Sequence, residues 1–241
     1  MSSAESNGSH RPPAPFIVGV ARSGTTLLRL MLDAHPDLAI PPETHFVPRL
    51  VKRIEGGAGA AEAHALVTQH PRWPDWGLDA DELRARFEAL EPFTAGGAVR
   101  AFFGLYAKKQ GKPRWGDKTP GHLGRMARIH RALPEVRFLH VIRDGRDAAV
   151  SLLERSWGPD TIPEAATAWK EGIEKARRQA KRKLPEGAYV EVRYEELVRE
   201  PEATLRAVAQ AIDLPWDERM LRYHELAEER MAEVRRDLER E

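Results

Sequence analysis

A short loop between an apolar run and the start of a helix is the part of this sequence best suited to bind an anion. Residues 16–20 read FIVGV, residues 21–26 read ARSGTT, and a leucine-rich helical pattern follows. A strand, a tight loop and a helix in this order direct several backbone N–H groups and a helix N-terminus at one anion. The residues predicted to bind a phosphate group here are Arg22, Ser23, Gly24, Thr25 and Thr26.

This loop differs from the loop that binds ATP or GTP. Gly19 and Gly24 have the spacing of the pattern G-x-x-x-x-G-K-[ST], but Thr25 stands where the pattern requires lysine. The one cation in the loop is Arg22. The sequence therefore predicts a phosphate-binding loop that carries an arginine instead of the lysine of a nucleoside triphosphatase.

Two further apolar runs predict strands that also end in polar residues. Residues 136–142 (VRFLHVI) precede Arg143 and Asp144, and residues 188–194 (AYVEVRY) end at Tyr194. Strands that alternate with helices predict an α/β fold with a central parallel sheet flanked by helices. Ligands of such sheets bind beyond the carboxyl ends of the strands. We therefore expect the polar residues after the three strands to converge on one crevice, provided that the strands are neighbours.

The string VARSGTTLLRLMLDAHPDL followed by PPETHFVPRL resembles a known family. It is similar to the sulfotransferases that use 3′-phosphoadenosine 5′-phosphosulfate (PAPS), and most similar to the branch of the tyrosylprotein sulfotransferases and their bacterial relatives. The resemblance extends from residue 16 to about residue 221. It implies a three-layer fold of the P-loop type, and transfer of a sulfuryl group from PAPS to a hydroxyl of a small molecule or peptide. Adenosine 3′,5′-bisphosphate would be the product.

The resemblance also assigns roles to residues that bind the donor. It implies that the loop at Arg22 binds the 5′-phosphosulfate and that Tyr194 lies near the adenosine. The 3′-phosphate would be bound by Arg143, Ser151 and Arg155. Ser151 and Arg155 are four residues apart on a predicted helix and therefore share one face.

Three residues are the candidates for catalysis. The resemblance implies that Glu43 is the general base for the acceptor hydroxyl, and that Arg22 and Lys118 stabilise charge on the leaving phosphate. His45 is the alternative base, because other sulfotransferase branches use a histidine whose ordinary pKa suits proton transfer. The closest branch has an arginine at the position of His45. Glu43 could instead be a loop carboxylate paired with an arginine, and Lys118 a surface lysine that flanks a helix and pairs with Asp117.

Composition limits the partners and cofactors. The 241 residues carry 38 Lys and Arg against 37 Asp and Glu, and they include no cysteine. This balance predicts neither nucleic acid nor a membrane surface as a partner, and disulfides and thiolate metal sites are excluded. We predict that the chemistry needs no metal ion, since no metal-ligand spacing such as H-E-x-x-H occurs. The sequence is compatible with a monomer or a homodimer.

The chain is expected to form one domain. Residues 1–15 read as a disordered polar tail without the apolar segment of a signal peptide, so we expect a bacterial, cytoplasmic protein. The sulfotransferase domain is predicted at residues 16–221. It includes a helical insert at residues 55–112, which is expected to lie on the acceptor side. Residues 222–241 predict a charged helix.

Two other functions compete with sulfuryl transfer. A P-loop kinase of small molecules would use Asp144 to organise magnesium, although Arg143 beside it opposes a dication. A nucleotide-binding module without catalysis is the second alternative. It stays open because the family commonly has a basic, glycine-containing segment near its C-terminus, and residues 222–241 lack one.

Overall fold

A computed structural model describes residues 11–153 and 158–226. The described strands are β1 (Ala14–Gly19), β2 (Leu38–Ala39), β3 (Arg114–Trp115), β4 (Asp117–Lys118), β5 (Val136–Ile142) and β6 (Tyr189–Arg193). The central sheet has the order β4-β1-β5-β6, and all of its strands are parallel. The short strands β2 and β3 form a separate parallel pair. The central strands thus end at one edge of the sheet, as predicted.

Eleven α-helices lie within the described residues. They are α1 (Thr25–Asp33), α2 (Val47–Glu55), α3 (Ala60–Thr68), α4 (Trp73–Trp76), α5 (Ala80–Glu88), α6 (Ala95–Lys109), α7 (Met126–Ala132), α8 (Gly145–Leu153), α9 (Ile162–Lys183), α10 (Tyr194–Arg199) and α11 (Pro201–Ala211). Short 3₁₀ turns occur at Pro120–Arg125, Glu218–Met220 and Tyr223–Leu226. Two helices begin at capping residues that their sequences favour. The side chain of Asp79 accepts a hydrogen bond from the N–H of Glu82 at the start of α5, and Thr161 forms a capping box with Glu164 at the start of α9.

The sheet separates two hydrophobic cores. Because side chains alternate along a strand, Phe16 of β1 packs into a core with helices α2, α6 and α7, whereas Ile17 packs with α1 and α11. On β5, Phe138 and Leu139 divide in the same way. Helices therefore cover both faces of the sheet, and the predicted three-layer α/β architecture is confirmed.

The element boundaries refine three predictions. The first strand begins at Ala14, where it pairs with Val136, so the final residues of the predicted tail belong to the sheet. Residues 55–112 contain helices α3 to α6 and are helical, as expected. A proline is favoured in the first turn of a helix, so Pro215 predicts the start of a further helix; this prediction is wrong, because the described residues after α11 form only 3₁₀ turns.

The last predicted helix is described only at its start. Within residues 222–241, Tyr223–Leu226 form a 3₁₀ turn, and residues 227–241 lie outside the described part of the chain. Across the two described ranges, 11–153 and 158–226, no helix combines the length and apolar character needed to cross a bilayer.

Candidate active site

The loop after β1 has a backbone that favours glycine at one position. Gly24 has a φ of +91° and immediately precedes helix α1. A Cβ atom at Gly24 would lie 2.2 Å from Cδ2 of Tyr194, so both the backbone conformation and the neighbouring ring require glycine. The loop after β1 is therefore in contact with the end of β6, where Tyr194 lies.

The start of helix α1 supplies donors for an anion. The N–H groups of Thr25 and Thr26 occupy the first turn, where a helix offers them no internal acceptor. Thr25 is buried and Thr26 is half-buried. Ser23 differs from the prediction in detail, because its hydroxyl donates to the carbonyl of Val20 at 2.7 Å and closes the loop upon itself. The backbone of the loop is thus better placed to bind an anion than the Ser23 hydroxyl.

Arg22 connects the loop to helix α8. Its Nε donates to Oγ of Ser151 at 3.0 Å, and its φ of +68° is unusual for a residue with a side chain. The guanidinium group therefore lies on the side predicted for the 3′-phosphate. Arg155, predicted to act with Ser151, lies outside the described residues.

Arg143 follows β5 and faces the same crevice. Its guanidinium lies 4.8 Å from the ring centre of Tyr194, and Nη1 donates to the carbonyl of Arg22 at 3.4 Å. Its Nε is buried and has no hydrogen-bond acceptor among the described residues. Arg143, Tyr194 and the loop thus meet at the carboxyl ends of β5, β6 and β1, as the sequence predicted.

Asp144, the residue that a kinase would need for magnesium, is engaged elsewhere. Arg146 donates to both of its oxygens, at 3.0 Å from Nε and 2.6 Å from Nη2. These hydrogen bonds lower the pKa of Asp144 to about 2. The carboxylate therefore serves as a partner of Arg146 at the start of α8.

Glu43, Lys118 and His45 form a compact cluster. Lys118 Nζ lies 2.5 Å from Oε1 of Glu43, and His45 Nε2 lies 2.9 Å from Oε2. The side chains of Lys118 and Glu43 are 2% and 5% exposed, so the interpretation of Lys118 as a surface lysine is wrong. Burial pushes the pKa of Glu43 upward, but the hydrogen bonds and charges of His45 and Lys118 outweigh it and lower the pKa to about 2.

Strand pairing places this cluster beside the loop. Lys118 on β4 is the direct neighbour of Ile17 on β1, two residues before Gly19. The N–H of Thr119 donates to the carbonyl of Ile17 at 3.2 Å and extends the pairing. The carboxylate–ammonium pair and the loop after β1 therefore lie at the same edge of the sheet.

A second, fully buried cluster lies directly behind these residues. Thr44 donates from Oγ1 to Oδ1 of Asp117 at 2.8 Å, and Thr119 donates to the same oxygen at 3.2 Å. His122 Nε2 lies 3.5 Å from Oδ2 of Asp117. Burial raises the pKa of Asp117 to about 7, and burial lowers that of His122 to about 3. The sequence suggested Asp117 only as a partner of Lys118, and no local pattern in it pointed to Thr44, Thr119 or His122.

The helical insert supports the segment that carries Glu43. Trp76 of α4 donates from Nε1 to the carbonyl of Pro42 at 3.1 Å, and its ring packs against Phe46 and Phe102 with centroids 5.2 and 5.1 Å apart. The insert therefore adjoins the candidate base.

In residues 11–153 and 158–226 there is no group of three or more His, Cys, Asp or Glu able to hold a metal ion.

The fold and the crevice define the class of the protein before any comparison. A parallel sheet with a glycine-containing loop between its first strand and a helix is the arrangement of three-layer α/β proteins of the P-loop type. Comparison narrows this class: the family model described as "Sulfotransferase family" matches residues 13–218. The chain belongs to the sulfotransferase family, as the resemblance implied.

Curated relatives support the same branch. Protein-tyrosine sulfotransferase 1 of Danio rerio is 30% identical over 227 residues, which cover 89% of this chain and 57% of the relative. The human protein-tyrosine sulfotransferase 1 is 30% identical over 221 residues, covering 89% of this chain and 55% of the relative. The chain thus spans about half the length of the curated relatives it matches.

Solved structures support the fold. The sulfotransferase domain of the Synechococcus olefin synthase superposes with a TM-score of 0.60 at 23% identity, covering 90% of this chain and 80% of that domain. The sulfotransferase domain from the curacin biosynthetic pathway gives 0.61 at 22% identity, with 89% and 78% covered. At these identities the likeness concerns the fold alone.

Proposed function

We propose that this protein transfers a sulfuryl group from PAPS to a hydroxyl acceptor and releases adenosine 3′,5′-bisphosphate. The observation that carries the proposal is the buried contact of 2.5 Å between Lys118 and Glu43, at the sheet edge where the loop after β1 also lies. Such an edge offers an anion-binding loop on one side and a carboxylate on the other. Family membership supports the reaction class.

The residues of the crevice fit the donor. The buried Nε of Arg143 has no acceptor among the described residues, and charge-assisted hydrogen bonds from arginine to phosphate are strong and directional. The aromatic ring of Tyr194 lies beside Gly24 and Arg143. A nucleoside base binds proteins by stacking on such a ring. Arg143 and Ser151 would hold the 3′-phosphate, and Arg22 with the amides of Thr25 and Thr26 would hold the 5′-phosphosulfate. When bound there, PAPS supplies an activated sulfuryl group with a phosphate leaving group.

Lys118 and Glu43 divide the chemistry between them. In the donor-free protein Lys118 and His45 stabilise the Glu43 carboxylate, and a carboxylate with a pKa of about 2 is a weak base. Glu43 can accept the proton of the acceptor hydroxyl once the ammonium group of Lys118 turns from it toward the leaving phosphate. The same movement would place a cation where negative charge develops, and such a donor is worth ~10²–10³ in kcat.

The acceptor is proposed only as a class. The relatives are named protein-tyrosine sulfotransferases, which favours a peptide hydroxyl, and a small-molecule hydroxyl is the alternative. The acceptor would approach along the helical insert, because Trp76 of the insert holds the carbonyl next to Glu43.

Donor titration and one substitution test the proposal. We expect isothermal titration calorimetry to show tighter binding of adenosine 3′,5′-bisphosphate than of Mg-ATP. Glu43→Gln should keep this binding and lose ~10²–10⁴ in turnover with tyrosine peptides, phenols or sugars as acceptors, because it removes the base. His45→Gln is the matched control with a smaller expected loss.

Three results would contradict the proposal. Preference for Mg-ATP would favour the kinase, and full turnover of Glu43→Gln would move the role of base to His45. Binding of the bisphosphate without turnover of any acceptor would indicate a nucleotide-binding module.

A further inference from the structure

Two layers of side chains join the segment of residues 43–45 to strand β4. The outer layer contains Glu43, His45 and Lys118, in which His45 and Lys118 each contact the Glu43 carboxylate. The inner layer contains Thr44, Asp117 and Thr119, which are 0% exposed. Side chains alternate between two faces along a strand, so Asp117 and Lys118 of β4 belong to different layers. Lys118 is therefore flanked in sequence by Asp117 and Thr119 of the inner layer, and Glu43 is followed by Thr44.

Besides the contact between Glu43 and Lys118, two hydrogen bonds of the inner layer join the two segments. Thr44 donates through its hydroxyl to Asp117 at 2.8 Å, and its backbone N–H donates to Oγ1 of Thr119 at 2.9 Å. Thr119 in turn donates to the same oxygen of Asp117. Because these groups are buried, each lost hydrogen bond would leave a polar atom without a partner. The two bonds that cross between the segments, held together by the bond from Thr119 to Asp117, thus set the position of residue 43 opposite residue 118.

His122 supports the inner layer from behind. Its Nε2 lies 3.4 Å from Oγ1 of Thr44 and 3.5 Å from Oδ2 of Asp117, and its ring stacks on Phe16 with centroids 6.3 Å apart. Oδ2 itself has no hydrogen bond within the described residues. The inner layer is therefore attached to the central strand β1 through Phe16.

We infer that Thr44 and Asp117 are positioning residues, which hold Glu43 in contact with Lys118 through hydrogen bonds made on the opposite face of both segments. This inference rests on the proposed function, since it concerns the same base. Thr44 and Asp117 are 0% exposed, so they lie behind the surface that a donor or an acceptor can reach. Their effect on the reaction passes through the distance between the Glu43 carboxylate and the Lys118 ammonium.

The pKa of Glu43 depends on the distance between its carboxylate and the Lys118 ammonium. It can be measured without an acceptor substrate. The titratable groups that face Glu43 are His45 and Lys118, with Asp117 and His122 in the layer behind. Loss of contact with Lys118 removes a stabilising charge from a buried carboxylate, so its pKa rises. A change that only lowers the stability of the fold leaves this pKa unchanged in the molecules that remain folded.

The experiment is a carboxyl titration by NMR of donor-free protein labelled with ¹³C at the glutamate side chains. Glu43→Gln assigns the signal. We expect Thr44→Val to raise the pKa of Glu43 by about one unit or more, because one hydroxyl between the segments is lost. Thr44→Ser keeps the hydroxyl and should restore the wild-type titration. Thr68→Val is the matched control, since the Thr68 hydroxyl bonds only within helix α3.

Asp117→Asn tests whether Asp117 affects the pKa of Glu43 through its hydrogen bonds or through its charge. Its amide oxygen still accepts from Thr44 and Thr119, so we expect the Glu43 titration to stay within about half a unit of wild type. If Thr44→Val does not fold, Thr119→Val removes the other hydroxyl and should give the same upward shift.

The outcomes are distinguishable from a failure of the proposed function. An unchanged Glu43 titration in Thr44→Val and Thr119→Val would overturn the inference, and so would an equal shift in Asp117→Asn. Full turnover of Glu43→Gln would overturn the base assignment and leave the titration results as they are. Calorimetry with adenosine 3′,5′-bisphosphate should give the same affinity in Thr44→Val and wild type, because the loop after β1 is untouched.

Discussion

Arg143 and Glu43 are two partly or fully buried charged residues whose hydrogen bonding differs. Both oxygens of Glu43 have a partner, at 2.5 Å from Lys118 and 2.9 Å from His45. Arg143 has its Nε buried without an acceptor among the described residues. A buried donor without an acceptor costs about 1–3 kcal/mol, which a bound anion can return. Both oxygens of Glu43 are thus already bonded, whereas Arg143 has a buried N–H that can donate to an anion.

This difference predicts how Arg143 contributes to donor binding. Arg143→Lys keeps one positive charge and loses the planar fork that matches a phosphate group. We expect the Kd for adenosine 3′,5′-bisphosphate, measured by calorimetry, to rise about 10-fold to 100-fold, the loss of one charge-assisted hydrogen bond or two.

Arg146→Ala is the control for that substitution. Arg146 lies three residues away, is 89% exposed and bonds to Asp144, so its removal should change the Kd by less than about threefold. Equal effects of the two substitutions would show that the crevice attracts the ligand by general charge rather than through Arg143.

The sequence identified the charged residues of the site better than their surroundings. Glu43 and Lys118 were found through the family resemblance, and nothing in the local sequence predicted their contact at 2.5 Å. Strand β4 has only two residues, and it exists because it pairs with β1. A strand this short has no periodicity of its own, so the burial of Lys118 and Asp117 followed from tertiary pairing alone.

At the scale of elements, the connection between β1 and α1 was predictable in detail. The apolar run, the glycine spacing and the leucine pattern determine strand, loop and helix, and the structure places the loop from residue 20 to residue 24. The contact of Gly24 with Tyr194 was not predictable, because it joins residues 170 positions apart. It depends on β6 lying beside β5 and β5 beside β1.

The contact predicts a specific defect for a small substitution in the loop. Gly24→Ala adds a Cβ at 2.2 Å from the Tyr194 ring and forces a side chain into a φ of +91°. Both the loop and the ring must then move, so we expect the Kd for the bisphosphate to rise at least about 10-fold.

Gly124→Ala provides the comparison. A Cβ at Gly124 meets no atom within 4 Å, so calorimetry should give the wild-type affinity. The geometry assigned to the loop would be wrong if Gly24→Ala bound the bisphosphate as tightly as Gly124→Ala.

At the scale of the whole molecule, residues at the carboxyl ends of the strands and residues at their amino ends have different roles. The carboxyl edge carries the loop after β1, Arg143 and the Glu43–Lys118 pair. The opposite edge, where β1 and β5 begin, holds the chain together through Arg114. Its guanidinium donates to the carbonyls of Pro13, Ile212 and Asp213 at 2.6–2.7 Å. One side chain thereby joins β3, the start of β1 and the end of α11.

This separation of tasks predicts that stability and binding can be changed independently. Arg114→Met removes all three hydrogen bonds and leaves carbonyl groups without a donor, so we expect a loss of about 2–4 kcal/mol in the free energy of unfolding. Urea titration measures that loss, and Arg178→Met on the exposed face of α9 should cost less than about 0.5 kcal/mol. The Kd for the bisphosphate should stay at its wild-type value in folded Arg114→Met, because the phosphate site lies at the other edge. A weakened Kd would mean that the two edges are coupled through β1, whose six residues span the sheet between them.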